Sequence, residues 1–151
     1  MGAEQELAKF MAKYEPRVAR EAKKALAKVR KMAPGAMELV YDNYNALAIG
    51  FGPNEKAGQA VFSIVLYPRY VSLFFLQAKG LPDPGKRLQG AGNVARHVRL
   101  ETAETLGEPE VRELMKVAME RAKVQIDPKQ KRKLLIKSVS AKQRPRRPGK
   151  K

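Results

Sequence analysis

The chain has no cysteine, no tryptophan and a single histidine among its 151 residues. Without cysteine there is no disulfide framework, no thiolate nucleophile and no Cys-based zinc site, and a reducing compartment fits. Long apolar runs are also missing. The longest, from Val71 to Leu76, is interrupted by Ser72 and falls far short of the roughly 18 residues a membrane span needs. The N-terminus (M-G-A-E-Q-E-L-A-K-F) carries two glutamates and lacks a basic-then-apolar leader pattern, so a cytoplasmic protein with nothing cleaved is expected. Acid is absent from one segment altogether: residues 129–151 hold 11 Lys/Arg and no Asp or Glu. Residues 1–32 hold nine cations against four glutamates, and residues 33–128 are neutral, so the net charge of +16 belongs to one helical segment and one tail.

What is present reads as one domain, since this length gives a proper core but not two. From Glu4 to Ala33, apolar residues recur at three- and four-residue steps, which is helical spacing. Pro16 lacks the N–H a helix interior needs, so the segment divides into a short helix ending near Lys13 and a second with Pro16 in its first turn. Lys and Arg at 17, 20, 23, 24, 28, 30 and 31 coat the second helix. Met37–Tyr41, Tyr44–Phe51, Ala60–Tyr67, Tyr70–Gln77 and Val94–Leu100 read as strands, and Gly107-Glu108-Pro109 opens a last helix ended by Asp127-Pro128. The expected fold is α+β, an antiparallel sheet of about five strands packed by N- and C-terminal helices. Residues 1–128 would form the domain and 129–151 a disordered basic tail, because like charges repel.

The loop 78–93 is long for a structureless connection, and such loops tend to be functional or packed by their own side chains. Gly90-Ala91-Gly92-Asn93-Val94-Ala95 fits the dinucleotide pattern G-x-G-x-x-A. That chemistry needs a strand before and a helix after, whereas here the residues after the glycines alternate like a strand. Lys79, Lys86 and Arg87 around Gly90 and Gly92 could make an anion-binding concavity, or could be solvated surface charge. His97 is flanked by Arg96 and Arg99 near the loop's end; it reads either as a hydrogen-bonded sheet histidine or as a ligand or acid–base group beside Arg96 and Asp83. Tyr41 is the strand tyrosine placed in a cleft. The tail cations Lys129, Lys131, Arg132, Lys133, Arg144, Arg146, Arg147, Lys150 and Lys151 would meet nucleic acid or another polyanion without reading sequence.

Three stretches carry a resemblance: A-P-x-A-x-E-x-V-Y (Ala33 to Tyr41), Y-N-A-L-A-I-G-F-G (Tyr44 to Gly52), and V-x-L-F-F-x-x-A-K-G-L-P-D-P-x-x-x-L-Q-G-x-G-x-x-x-R-H-V-R-L (Val71 to Leu100). Together, over roughly residues 5–125, they resemble the YdhG-like family, a domain of unknown function. The resemblance implies a small α+β domain likened to frataxin, and iron handling of the frataxin kind as an alternative role. The metal would want clustered carboxylates; the candidates are Glu38, Asp42, Asp83, Glu101, Glu104, Glu108 and Glu110. The basic second helix departs from the acidic face an iron chaperone would want. The expectation is therefore a non-enzymatic binding module, monomeric or weakly oligomeric. It would carry no resident cofactor, take a small anionic ligand at the loop, and hold polyanions through the tail.

Overall fold

A computed structural model describes residues 2–149. Helix α1 spans Ala3–Ala12 and helix α2 spans Pro16–Met32, with the proline in α2's first turn. The strands are β1 (Met37–Asp42), β2 (Leu47–Gly52), β3 (Phe62–Leu66), β4 (Val71–Phe75), β5 (Arg96–Leu100) and β6 (Leu134–Val139), with helix α3 (Pro109–Arg121) between the last two. Strand β2 begins three residues later than its apolar pattern, because Asn43 N–H bonds the Ala46 carbonyl and closes the turn there. Helix α3 ends at Arg121 rather than near Asp127. The Gln125 amide turns back onto the Glu120 and Ala122 carbonyls and caps the end.

The six strands form one mixed sheet in the order β5-β4-β3-β2-β1-β6, antiparallel throughout except where β6 lies parallel to β1. Alternation decides the faces. Val40, Leu47, Ile49, Phe51, Phe62, Ile64, Leu66, Val71, Leu73, Phe75, Val98 and Leu100 join one core with the buried stripes of all three helices. The opposite face carries Tyr41, Val65, Ser72, Phe74, His97 and Arg99.

Two expectations are corrected by β6. The sheet has six strands, and the described part of the tail is not a disordered appendage. Leu134-Leu135-Ile136, the one apolar cluster in the basic segment, pairs with Glu38, Leu39 and Val40, and Leu134 and Ile136 pack against the core. On the way from α3 to that edge the chain is fastened to the sheet's end. Gln130 donates to the carbonyls of Gly35 and Pro53 at 2.7 and 3.0 Å. Gly35, at φ 83°, is needed at this crossing, because a Cβ there would collide with the Asp127 carbonyl oxygen.

Strand β1 also brings two carboxylates under the helices. Glu38 is fully buried and takes both nitrogens of the Arg30 fork, at 2.9 and 2.8 Å, with Arg132 at 3.2 Å. Burial by itself would lower the Arg30 pKa, but the Glu38 hydrogen bonds and charge raise it above the usual value. Asp42 is equally buried and meets Arg146 at 2.9 Å, while Arg146 also donates to the Asn43 carbonyl. Without Arg146, the buried Asp42 keeps only the half-exposed Lys13, 3.8 Å from Oδ2, as a counter-charge among the described residues. Arg146→Ala is therefore expected to cost about 3–5 kcal/mol in urea unfolding, and the double change Asp42→Asn with Arg146→Met clearly less than that.

Tyr14, between the first two helices, is buried and ties them to the sheet: its hydroxyl donates to the Leu66 carbonyl and accepts from Leu47 N–H, both at 3.1 Å. Burial pushes its pKa from 10.0 up to about 12, against the opposing charge of Arg146. Below pH 10 folded and unfolded chains both keep the phenol proton, and this contribution to stability is complete. Above it the unfolded chain loses the proton first, so stability falls as pH rises, by up to about 2–3 kcal/mol near pH 12. The stability gap between the wild type and Tyr14→Phe should accordingly narrow from about pH 10 to about pH 12 in urea titrations.

Candidate functional site

The loop after β4 is built by its own polar contacts. Asp83 accepts from the backbone N–H groups of Arg87 and Leu88, both at 2.9 Å, which closes the turn around Lys86 at φ 52°. Arg87 then reaches Glu108 at 2.7 Å and Glu110 at 3.2 Å at the start of α3. Hydrogen bonding to Glu108 is the main cause holding its pKa above the usual value. Gln89 exchanges backbone hydrogen bonds with His97, at 2.7 and 3.0 Å, and so covers part of the outer edge of β5. The loop is a strap joining that edge to the start of α3.

This geometry separates residues that lie close together in the sequence. Lys79, Asp83 and Arg96 line one recess of about 250 Å³, together with Leu81 and Leu88. Arg96 is steadied there by a 3.1 Å bond from its Nε to the Gly92 carbonyl. Lys86 is exposed outside it. His97 lies on the opposite sheet face, its ring stacked on Phe74 at 4.9 Å and 30°. Gly90 sits against that ring, where a Cβ would come to 3.5 Å of Nδ1. Tyr41 shares the face with His97 but lies four strands away, roughly 19 Å at the usual strand spacing. No helix comes after Gly92, since Arg96–Leu100 is a strand, so the glycine pattern opens no dinucleotide site.

No known protein family, curated protein or solved structure matches this chain.

Most of the carboxylates that an iron site would use are already engaged, although Glu101, which has no ion pair among the described residues, borders one recess with Glu104 and Glu108. Glu38 and Asp42 face arginines, Asp83 closes its turn, Glu108 and Glu110 hold Arg87, and Glu104 lies 3.6 Å from Lys28. Among the described residues no three His, Cys, Asp or Glu side chains come together as a metal-holding group.

The cations divide as well. One expected polyanion contact is corrected, since Arg146 is buried against Asp42; Arg132 is exposed and turned to Glu38 and Glu4 at 3.2 Å. Lys129, Lys131, Lys133, Arg144 and Arg147 are exposed, with Lys133 4.0 Å from Glu55 and Arg147 bonded to the Lys13 carbonyl. Lys150 and Lys151 lie outside the described residues. On α2, Arg30 and Lys28 face carboxylates, whereas Lys23, Lys24 and Lys31 are exposed.

A larger recess, of about 450 Å³, lies where β4 leaves the sheet and includes Lys79 with Arg121 and Lys123. No sequence pattern signals it, because 42 residues separate Lys79 from Arg121.

These placements assign Asp83 to folding. Asp83→Ala, which orphans two backbone donors, is expected to lower stability by roughly 2 kcal/mol, and His97→Ala, which removes one stacked pair, by roughly 1 kcal/mol, both read in urea unfolding.

Proposed function

We propose that this chain is a non-enzymatic binding module that holds polyanions, nucleic acid foremost, by electrostatics and without reading base sequence. The observation that carries this reading is the uneven charge. Thirty-one Lys/Arg face 15 Asp/Glu, and the surplus sits in α2 and the C-terminal segment. Exposed lysines act as mobile point charges for phosphates, and binding is driven by released counterions. Apart from Pro16 and Ala27, the exposed residues of α2 are Arg17, Arg20, Lys23, Lys24 and Lys31, with no Asn, Gln or aromatic side chain among them, so the reading rests on phosphate contacts. The enzyme alternative has no constellation to rest on, since His97 is stacked on Phe74 and stands apart from the Asp83 recess. Frataxin-like iron handling draws no support from carboxylates that are mostly held by cations or by backbone N–H groups.

Removing residues 129–151 is a poor test, because it also removes β6 and the partner of Asp42. The informative variant is Lys23→Gln/Lys24→Gln/Lys31→Gln in the full chain. In fluorescence anisotropy with a labelled duplex, wild-type affinity should fall steeply between about 50 and 200 mM salt. The variant should flatten the logarithmic salt slope by as much as ~0.9 for each phosphate it no longer neutralises. Salt-independent binding, or none at low salt, would sink the reading.

A further inference from the structure

The recess beside Lys79 combines exposed apolar side chains with three cations. Only four large hydrophobic side chains are exposed among the described residues, and two of them, Val94 and Val124, line it with Leu76. The charged residues lining it are Lys79, Arg121 and Lys123, with no carboxylate among them. Cations at the C-terminal end of α3 suit the helix dipole, but that accounts for neither the valines nor Lys79, which comes from another element. The guanidinium of Arg121 is also held in place. One nitrogen donates to the Lys79 carbonyl at 3.2 Å, and it lies against Gly80, where a Cβ would come to 3.0 Å of it. Its remaining N–H groups are left to meet an oxyanion in the paired geometry that guanidinium favours. At about 450 Å³ the recess falls inside the range of small-molecule sites, about 300–1,000 Å³.

We infer that this recess binds a small organic anion with an apolar body, its oxyanion head on Arg121, Lys123 and Lys79 and its body over Val94, Val124 and Leu76. The site is separate from the α2 lysines, so it stands whether or not the chain holds nucleic acid. The head group is a carboxylate or a phosphate monoester, and both offer the acceptor oxygens these cations require.

Isothermal titration calorimetry of the full chain at moderate salt, with octanoate, octyl phosphate, inorganic phosphate and octanol, tests it. Octanoate or octyl phosphate should bind one-to-one, at least about tenfold tighter than inorganic phosphate or octanol, and whichever binds names the head group. Arg121→Gln/Lys123→Gln should weaken that binding about tenfold or more, as expected when charge-assisted bonds are removed, and Val124→Asp should abolish it. All three positions are exposed, so the thermal midpoint should stay within a few degrees of wild type. Lys9→Gln, on α1 and outside the recess, should bind as wild type does. Inorganic phosphate binding as tightly as octyl phosphate would overturn the inference in favour of a bare-anion subsite. So would variants that bind as wild type does, or no saturable binding of either amphiphile.

Discussion

Strand β1 places two carboxylates beneath the helices, and the rest of the sheet edge is arranged to neutralise them. Glu38 and Asp42 are four residues apart, so they share one face with the core residue Val40 between them. Neither is tolerable there without a cation, because desolvating an ion costs several kcal/mol. The end of α2 supplies Arg30, and the C-terminal segment supplies Arg132 before β6 and Arg146 after it. The final strand is therefore held at both ends by charge and along its length by backbone hydrogen bonds. This also fixes its register, since a one-residue slip would turn Leu134 and Ile136 away from the core. The arrangement is not fully satisfied: Asp42 Oδ2 and Arg146 Nε are buried without hydrogen-bond partners. Replacing a buried ion pair by a hydrophobic one is often neutral or stabilising, so the pair is weak evidence of added stability.

This interaction separates the parts of the fold that are legible in the sequence from those that are not. Helices α1, α2 and α3, the split at Pro16 and strands β1 to β5 follow from period, proline position and alternation, all of which are local. The fate of the tail is not local. Its charge density reads as repulsion until two of its arginines are matched to carboxylates 94 and 104 residues away. The only sequence sign is the Leu134-Leu135-Ile136 cluster, an apolar patch with no reason to exist in a solvated tail.

The candidate site is partly legible for the same reason. The long loop is marked by its Gly, Pro and Asp residues, but those residues mostly serve the loop's own folding. Asp83 closes a turn, Arg87 reaches α3, and Gln89 covers the edge of β5. Alternation places His97 opposite Arg96, which already means that one cleft could not use both. The recess near Lys79 depends on the end of α3 coming up to the end of β4, a tertiary fact that no spacing encodes.

The tail's charge takes on a different meaning once it is folded. As a free polycation its 11 Lys/Arg would bind any polyanion, each contact requiring a flexible segment to be ordered. In the fold, Arg132 and Arg146 are committed to β1, Lys137 donates to the Glu55 carbonyl and Arg147 to that of Lys13. Fewer cations remain for a phosphate chain, and they stand on the segments that flank β6. Less entropy is then given up at each contact, and the spacing of the charges is set by the protein.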